Sequence, residues 1–213
     1  KIRAVGNIKK ITRAMQMVSA AKLKKVQQRL VAIRPYADKI REFMENLSGQ
    51  VKELEYPLFM PRKNVRSICT VVMAADKGLC GSYNANILRY AERFLAERGK
   101  SSKIVAVGRK SVEHFRRQGA DLKETYIQIP TDVSFSQIKS MTRLLVDLFL
   151  KGEADEVHLV FTRYVNAITF RPGHVQFLPI QPEQKKEKKT SEVLYEFEPK
   201  PAEILDKLIP RYV

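Results

Sequence analysis

Apolar residues recur along the first part of the chain at alternating steps of four and three. Ala4, Ile8, Ile11, Met15 and Val18 form one run; Val26, Leu30, Ile33, Ala37, Ile40, Met44 and Leu47 form a second. This is the spacing of a helix seam that packs on another helix. Between Val18 and Val26 the step is eight residues, with Lys22 midway, an interruption that locally unwinds a left-handed supercoil. The pattern predicts a long helix within residues 1–50, half of a coiled coil. Roughly 45 helical residues would span about 68 Å at 1.5 Å each. That exceeds the width of a small domain, so much of the helix is expected to project. Pro35 sits inside the pattern, where it costs about 3 kcal/mol and kinks or ends a helix. The seam keeps its register from Ile33 through Ala37 to Ile40, which predicts one kinked helix. Gly49 is the expected stop.

Beyond a connector over 50–66, broken by Pro57 and Pro61, the pattern changes. Residues 67–75 are a nearly continuous apolar run (Ile68, Cys69, Val71, Val72, Met73), as in a strand buried on both faces. Residues 84–98 carry Ile87, Leu88, Ala91, Phe94 and Leu95 at helical spacing. A short strand follows over 103–107, then a short helix over 110–118 closed by Gly119, then a strand over 122–129. Ser134 or Ser136 is placed to cap a helix that runs to Lys151 and stops at Gly152. Residues 156–164 alternate as a strand, and a partner strand lies within 168–178. Their hairpin turns either near Asn166 or at Pro172-Gly173. Alternating strands and helices predict a mainly parallel, Rossmann-like α/β sheet flanked by helices, with an antiparallel edge, over 66–180. Residues 181–192 read as a polar linker. Residues 193–213 read as a short ordered segment and the start of a last helix, with Pro201 in its first turn.

Charge sharpens this division. The chain of 213 residues carries 39 Lys and Arg against 23 Asp and Glu, a net +16. Ten of the basic residues (Lys1, Arg3, Lys9, Lys10, Arg13, Lys22, Lys24, Lys25, Arg29 and Arg34) fall before Asp38, the first acidic residue. The surplus is therefore a pole on the first helix, and it asks for an acidic partner. Basic residues interleave with the seam itself, unlike the separate basic region of a DNA-binding zipper. Residues 1–35 hold no aromatic side chain of the kind a membrane-surface helix presents. With 44% apolar and 29% charged residues the composition is that of a folded chain. No window is long and apolar enough for a membrane span, and two cysteines exclude a disulfide framework.

Candidate chemistry is thin. The loop from Asp76 to Asn84 follows a buried strand and opens a helix, the place where doubly wound folds hold phosphate. Gly78 and Gly81 do not make the dinucleotide fingerprint, so a tight strand-to-helix turn capped by Ser82 or Asn84 is the expectation. Cys80, near a predicted helix N-terminus, is the sharpest candidate nucleophile, although a small buried thiol is the expected role. His114, His158 and His174 are scattered without metal spacing. The reading from residues alone is no cofactor, no metal and no catalytic set. A basic α/β nucleotide- or nucleic-acid-binding protein with a coiled-coil arm remains the alternative.

Two stretches resemble the gamma subunit of F-type ATP synthases, the central rotor stalk. One is Asn7-Ile8-Lys9-Lys10-Ile11-Thr12-Arg13-Ala14-Met15-Gln16-Met17-Val18-Ser19-Ala20-Ala21-Lys22-Leu23-Lys24; the other is Asp76-Lys77-Gly78-Leu79-Cys80-Gly81. Arg34-Pro35-Tyr36-Ala37 and the closing Pro210-Arg211-Tyr212-Val213 are also similar to family segments. The resemblance implies a non-catalytic, peripheral membrane subunit on the cytoplasmic face of the bacterial inner membrane. Its implied partners are the alpha and beta subunits of the catalytic hexamer, the epsilon subunit and the membrane c-ring, with no nucleic acid. It puts Lys9, Lys10, Arg13, Met15 and Lys22 near the catalytic subunits. It puts Arg34, Tyr36, Tyr195, Phe197 and Glu198 near the ring and epsilon. It also implies a long C-terminal helix beyond Val213, so the chain is expected to be a truncated form that lacks it.

Overall fold

The computed structural model describes residues 1–53, 56–99, 101–130, 135–166 and 169–181. The expected 193–213 segment, with Tyr195, Phe197 and Glu198, lies outside the described residues, as does the expected linker beyond residue 181. The chain divides into two units, one running from Lys1 to Asn46 and the second beginning at Leu47.

The first unit is helical throughout. Helix α1 spans Ile2–Glu53, 52 residues, with Pro35 inside it. One helix therefore runs through the proline, as the unbroken seam predicts. Gly49 does not stop it: the helix continues four residues further. A glycine in a helix interior costs only about 1 kcal/mol, too little to end a helix by itself. Thr12 Oγ1 donates to the carbonyl of Ile8 at 2.9 Å, satisfying its hydroxyl within the same helix.

The second unit is built on a five-stranded sheet in the order β3-β2-β1-β4-β5. Strands β1 (Ser67–Met73), β2 (Ser101–Val107), β3 (Leu122–Tyr126) and β4 (Glu156–Tyr164) run parallel, and β5 (Phe170–Leu178) closes the sheet antiparallel to β4. The connecting helices are α2 (Tyr83–Arg98), α3 (Arg109–Arg117) and α4 (Phe135–Leu150). Ser136 lies inside α4 and so does not cap it; Ser134 lies outside the described residues. The β4–β5 hairpin turns at Asn166, where the N–H groups of Val165 and Asn166 both donate to the Thr169 carbonyl. Pro172 and Gly173 lie within β5, opposite Thr162 and Phe161. A proline is tolerated there because β5 is an edge strand.

The central strand β1 is buried between Ile68 and Val72, as its continuous apolar run predicts. On one side, Ile68, Val72, Ile104, Ala106 and Val160 pack with Ile87, Ala91 and Phe94 of α2 and with Val112 and Phe115 of α3. The alternate residues Cys69, Val71, Val105 and Val157 are buried on the opposite face, and Leu145, Leu148 and Phe149 of α4 are buried as well. A 3-10 turn over Pro57–Phe59 packs against α4 and buries Leu58 and Phe59. The connector thus contributes two core side chains where only irregular chain was expected. Arg62 fastens it, donating to the Phe149 carbonyl at 3.1 Å, and the Ile180 N–H donates to the Leu58 carbonyl at 2.7 Å.

Candidate functional site

Three places bear on function: the surface of α1, the rim of loops at the carboxyl ends of the parallel strands, and a polar cluster between α2 and the hairpin.

Every described side chain of α1 as far as Lys39 is exposed, apart from the half-buried Gln27 and Arg29. The apolar residues are included: Ile8 is 62% exposed, Ile11 60% and Met15 50%. At about 100° per residue, Ala4, Ile8, Ile11, Met15, Val18, Lys22, Val26, Ile33 and Ile40 fall on one stripe. Lys9, Lys10 and Arg13 fall on the far side of the helix, with Lys24. The five residues assigned to one set therefore separate into two. Met15 and Lys22 belong to the seam, with Lys22 a single cation inside it. Lys9, Lys10 and Arg13 form a basic face opposite. Tyr36, 57% exposed, borders the stripe, and Arg34 stands off it. No acidic residue precedes Asp38, so both faces present positive charge only.

The rim is closed by its own side chains. The Asp76 carboxylate accepts the backbone N–H of Arg109 at 2.9 Å and of Gln128 at 3.0 Å, joining the loops after β1, β2 and β3. Burial raises its pKa, yet the donated N–H groups of Gln128, Arg109 and Ile129 outweigh that and hold it below the ordinary carboxylate value. Asn84 accepts the Ala75 N–H at 2.9 Å and donates to the Lys77 carbonyl at 3.2 Å. It is a tie across the loop rather than a cap. Ser82 holds the cap position but makes no capping bond. Gly108 has φ +86°, and a Cβ there would lie 2.0 Å from the Ala74 carbonyl oxygen. The loops after β1 and β2 thus pack backbone against backbone at this point of the rim.

The two cysteines reverse the expectation for one of them. Cys80 is exposed, not buried, and accepts a hydrogen bond from Asn84 at 3.1 Å. Cys69 is the buried thiol; burial pushes it up to about 12. Among the described residues, no group of three His, Cys, Asp or Glu side chains is placed to hold a metal ion.

Two histidines that are far apart in sequence meet in the fold. His158 is 1% exposed on β4. Its Nε2 lies 2.9 Å from Glu156 Oε2, and the same carboxylate oxygen pairs with Arg98 at 3.0 Å. The ring of Phe94 lies 5.2 Å from that of His158 and 4.6 Å from that of His174 on β5. His174 Nδ1 lies 2.7 Å from the Tyr90 hydroxyl. Burial first, and then the Arg98 charge, hold His158 below its ordinary 6.5 against the upward pull of Glu156. Reading the three histidines as scattered missed this cluster. The available signal was strand alternation, which puts Glu156 and His158 on one face of β4.

Comparison with known proteins can now be set beside this geometry. A family model described as ATP synthase matches residues 1–213. The ATP synthase gamma chain of Desulforamulus reducens is 40% identical over 213 residues, covering 100% of this chain and 74% of that protein. The ATP synthase gamma chain of Heliobacterium modesticaldum is 38% identical over 219 residues, covering 100% of this chain and 75% of that one. Among solved structures, the central stalk and c-ring assembly of the Tetrahymena thermophila mitochondrial ATP synthase contains a chain of similar fold. The TM-score is 0.66 at 24% identity, covering 95% of this chain and 87% of that chain. At that identity the likeness concerns the fold alone. It covers both the long N-terminal helix and the mainly parallel sheet with its flanking helices.

Proposed function

The chain belongs to the ATP synthase gamma-chain family, and from that membership we propose its role: a central-stalk rotor subunit. It couples ion-driven rotation of the membrane c-ring to ATP synthesis and hydrolysis in the hexamer of alpha and beta subunits. It is itself non-catalytic, binds no cofactor and no nucleic acid, and joins the membrane as a peripheral part of the complex, at the cytoplasmic face of the bacterial inner membrane. Among the described residues no helix is long and apolar enough to cross a membrane, in keeping with such an attachment. Residues 1–50 act as the shaft helix, the sheet over 66–180 as the body, and 193–213 as the foot, joined by a linker over 181–192.

The observation that carries this reading is the surface of α1: an exposed apolar stripe on one side and, on the other, Lys9, Lys10, Arg13 and Lys24 with no acidic residue before Asp38. The stripe is the contact for a second helix, and Met15 and Lys22 act there. The opposite face, with Lys9, Lys10 and Arg13, meets acidic surface on the catalytic subunits. Arg34, Tyr36, Tyr195, Phe197 and Glu198 serve the ring and epsilon. A shaft must push without sticking. Exposed ion pairs contribute only about 0.2–1 kcal/mol each, so they can be exchanged one after another as the helix turns. Torque then comes from a stiff helix pair pressing on hinged subunits, while charge sets the preferred angles.

The test is charge reversal in the assembled complex. Changing Lys9, Lys10 and Arg13 together to Glu should leave assembly intact, lower ATP-driven turnover severalfold and flatten its salt dependence. Unchanged turnover and an unchanged salt profile would remove charge from the mechanism. Lys22→Glu, on the stripe, should instead alter helix pairing, read as loss of assembled complex on size exclusion.

A further inference from the structure

The cluster between α2 and the hairpin has no part in the shaft's work, yet it is built from titratable groups in direct contact. We propose that it is an acid-sensitive clasp: neutral His158, with His174 beside it, holds the edge strand β5 against α2, and protonation of His158 loosens that edge. The proposal does not depend on the role assigned to the chain.

The geometry carries it. A carboxylate only accepts, so the Nε2–H of neutral His158 donates to Glu156, 2.9 Å away. The other ring nitrogen, Nδ1, is buried and meets no hydrogen-bond partner among the described residues. A proton added there would place an unpaired donor and a new positive charge in a site with 1% exposure, which is unfavourable. The charged and titratable groups facing His158 come from three elements. They are Arg98 on α2, Glu156 on β4, and His174 on β5, whose own partner on α2 is Tyr90. From β1 the register partner is Thr70, which is uncharged. Glu156 is the one anion of the set, and Arg98 already engages it at 3.0 Å. It is therefore only partly free to balance a second cation. The His158 and His174 rings stand 6.2 Å apart, with Phe94 in contact with each.

The mechanical consequence follows from position. Among the described residues β5 pairs within the sheet with β4 alone, and α2 packs against it. Tyr90–His174 and Phe94–His174 are side-chain contacts between that helix and that strand. Loosening them frees an edge, whereas β1, β2 and β4 remain covered by the core around Phe115 and Ile87. His158 is held below 6.5, so the fold favours its neutral form. That contribution is complete above pH 6.5 and is lost as pH falls through the folded value.

The experiment is amide hydrogen exchange on the full chain at pH 7.5 and pH 5.5, corrected for the intrinsic chemical rate. Opening of β5 should rise severalfold on acidification, while β1 stays protected. His158→Gln and His174→Gln, each retaining hydrogen-bonding capacity, should each reduce that rise, and together they should abolish it. His114→Gln, on the other side of α2, should leave it unchanged. Should His158→Gln fail to fold, His174→Gln and an NMR titration of the wild-type imidazoles carry the test. A His158 ring that titrates at or above 6.5 overturns the proposal. So does a β5 that opens equally at both pH values, or an acid response that persists in the double variant.

Discussion

The helix α1 and the strand β1 each carry a long apolar pattern, and they satisfy their patterns in opposite ways. On β1, Ile68, Cys69, Val71 and Val72 are all 0% exposed. On α1, Ile11 and Met15 stand half or more in solvent. Apolar periodicity says that a face needs a partner but not whether that partner lies in the same unit. In the α/β unit the partner is the next element along the chain, because strands and helices cover each other over short connections. Among the described residues of the first unit nothing covers the helix, so its stripe is an address rather than a core. The positive charge follows the same division. It crowds the helix that buries nothing within its unit, and the sheet's central strand contains none.

The comparison is broken most sharply from the buried side. Phe115 is 1% exposed and packs in the core beneath α3. Phe115→Ala should cost about 3–5 kcal/mol, the transfer loss plus the cavity left behind. It should appear as a fall in the urea midpoint with the slope preserved. A cost below about 1 kcal/mol would mean that this core is not the one that holds the unit together. Next in size is Gly108→Ala. With φ +86° and the Ala74 oxygen 2.0 Å from the added Cβ, the β1 and β2 loops must separate. The strain should cost at least about 2 kcal/mol, seen as a lower melting temperature together with faster exchange of the Lys110 amide, which donates to the Ala75 carbonyl.

How far the two regions were legible in the sequence differs for a physical reason. The long helix, the parallel sheet and the antiparallel edge all follow from periodicities of 3.6 and 2 residues, which local chain geometry enforces. β4 falls on the residues its alternation marks. What stayed hidden depends on meeting across the fold. Leu58 and Phe59 look like an irregular proline-bounded connector until the 3-10 turn folds them under α4. The hairpin could turn at either of two places, because Pro172-Gly173 is as good a turn signal as Asn166; only the edge position of β5 makes a proline in a strand tolerable. His158 and His174 are separated by a hairpin in sequence and joined only by strand register. A small buried thiol is the expected role for Cys80, yet its loop stands open to solvent. On α1 the residues were visible but their grouping was not. Lys9 and Met15 fall on opposite sides once the helix angle is applied.

A smaller effect tests the rim. Asp76 ties three loops through backbone N–H groups, and those bonds hold its pKa below 3.8. The sign follows: the unfolded chain takes up this proton first as the solution is acidified. The carboxylate's contribution is complete above about pH 5 and is lost as pH falls through the folded value. Asp76→Ala should lower stability by about 1 kcal/mol near neutrality. It should also flatten the decline between pH 5 and pH 3, measured as urea midpoints. An equally steep decline in the variant would assign the acid sensitivity elsewhere; Asp155 is the first place to look, since it accepts the N–H groups of Arg66 and Ser67.

The smallest expected effect is the most informative for the comparison. Ile11→Ala and Met15→Ala remove apolar side chains that are 60% and 50% exposed. Among the described residues of α1's unit nothing covers them, so in the isolated chain each should change stability by less than about 0.5 kcal/mol, against several for Phe115→Ala. In the assembled complex the same two substitutions should be costly, because the stripe then lies against another helix and truncation leaves a cavity. The measurement is a pair of numbers for each variant: the melting temperature of the isolated chain, and the fraction recovered in assembled complex. A stripe that matters in both settings would mean that α1 already has a partner in the isolated chain. A stripe that matters in neither would make the heptad spacing a mere consequence of helix amphipathicity, and leave the basic face as the only working surface of α1.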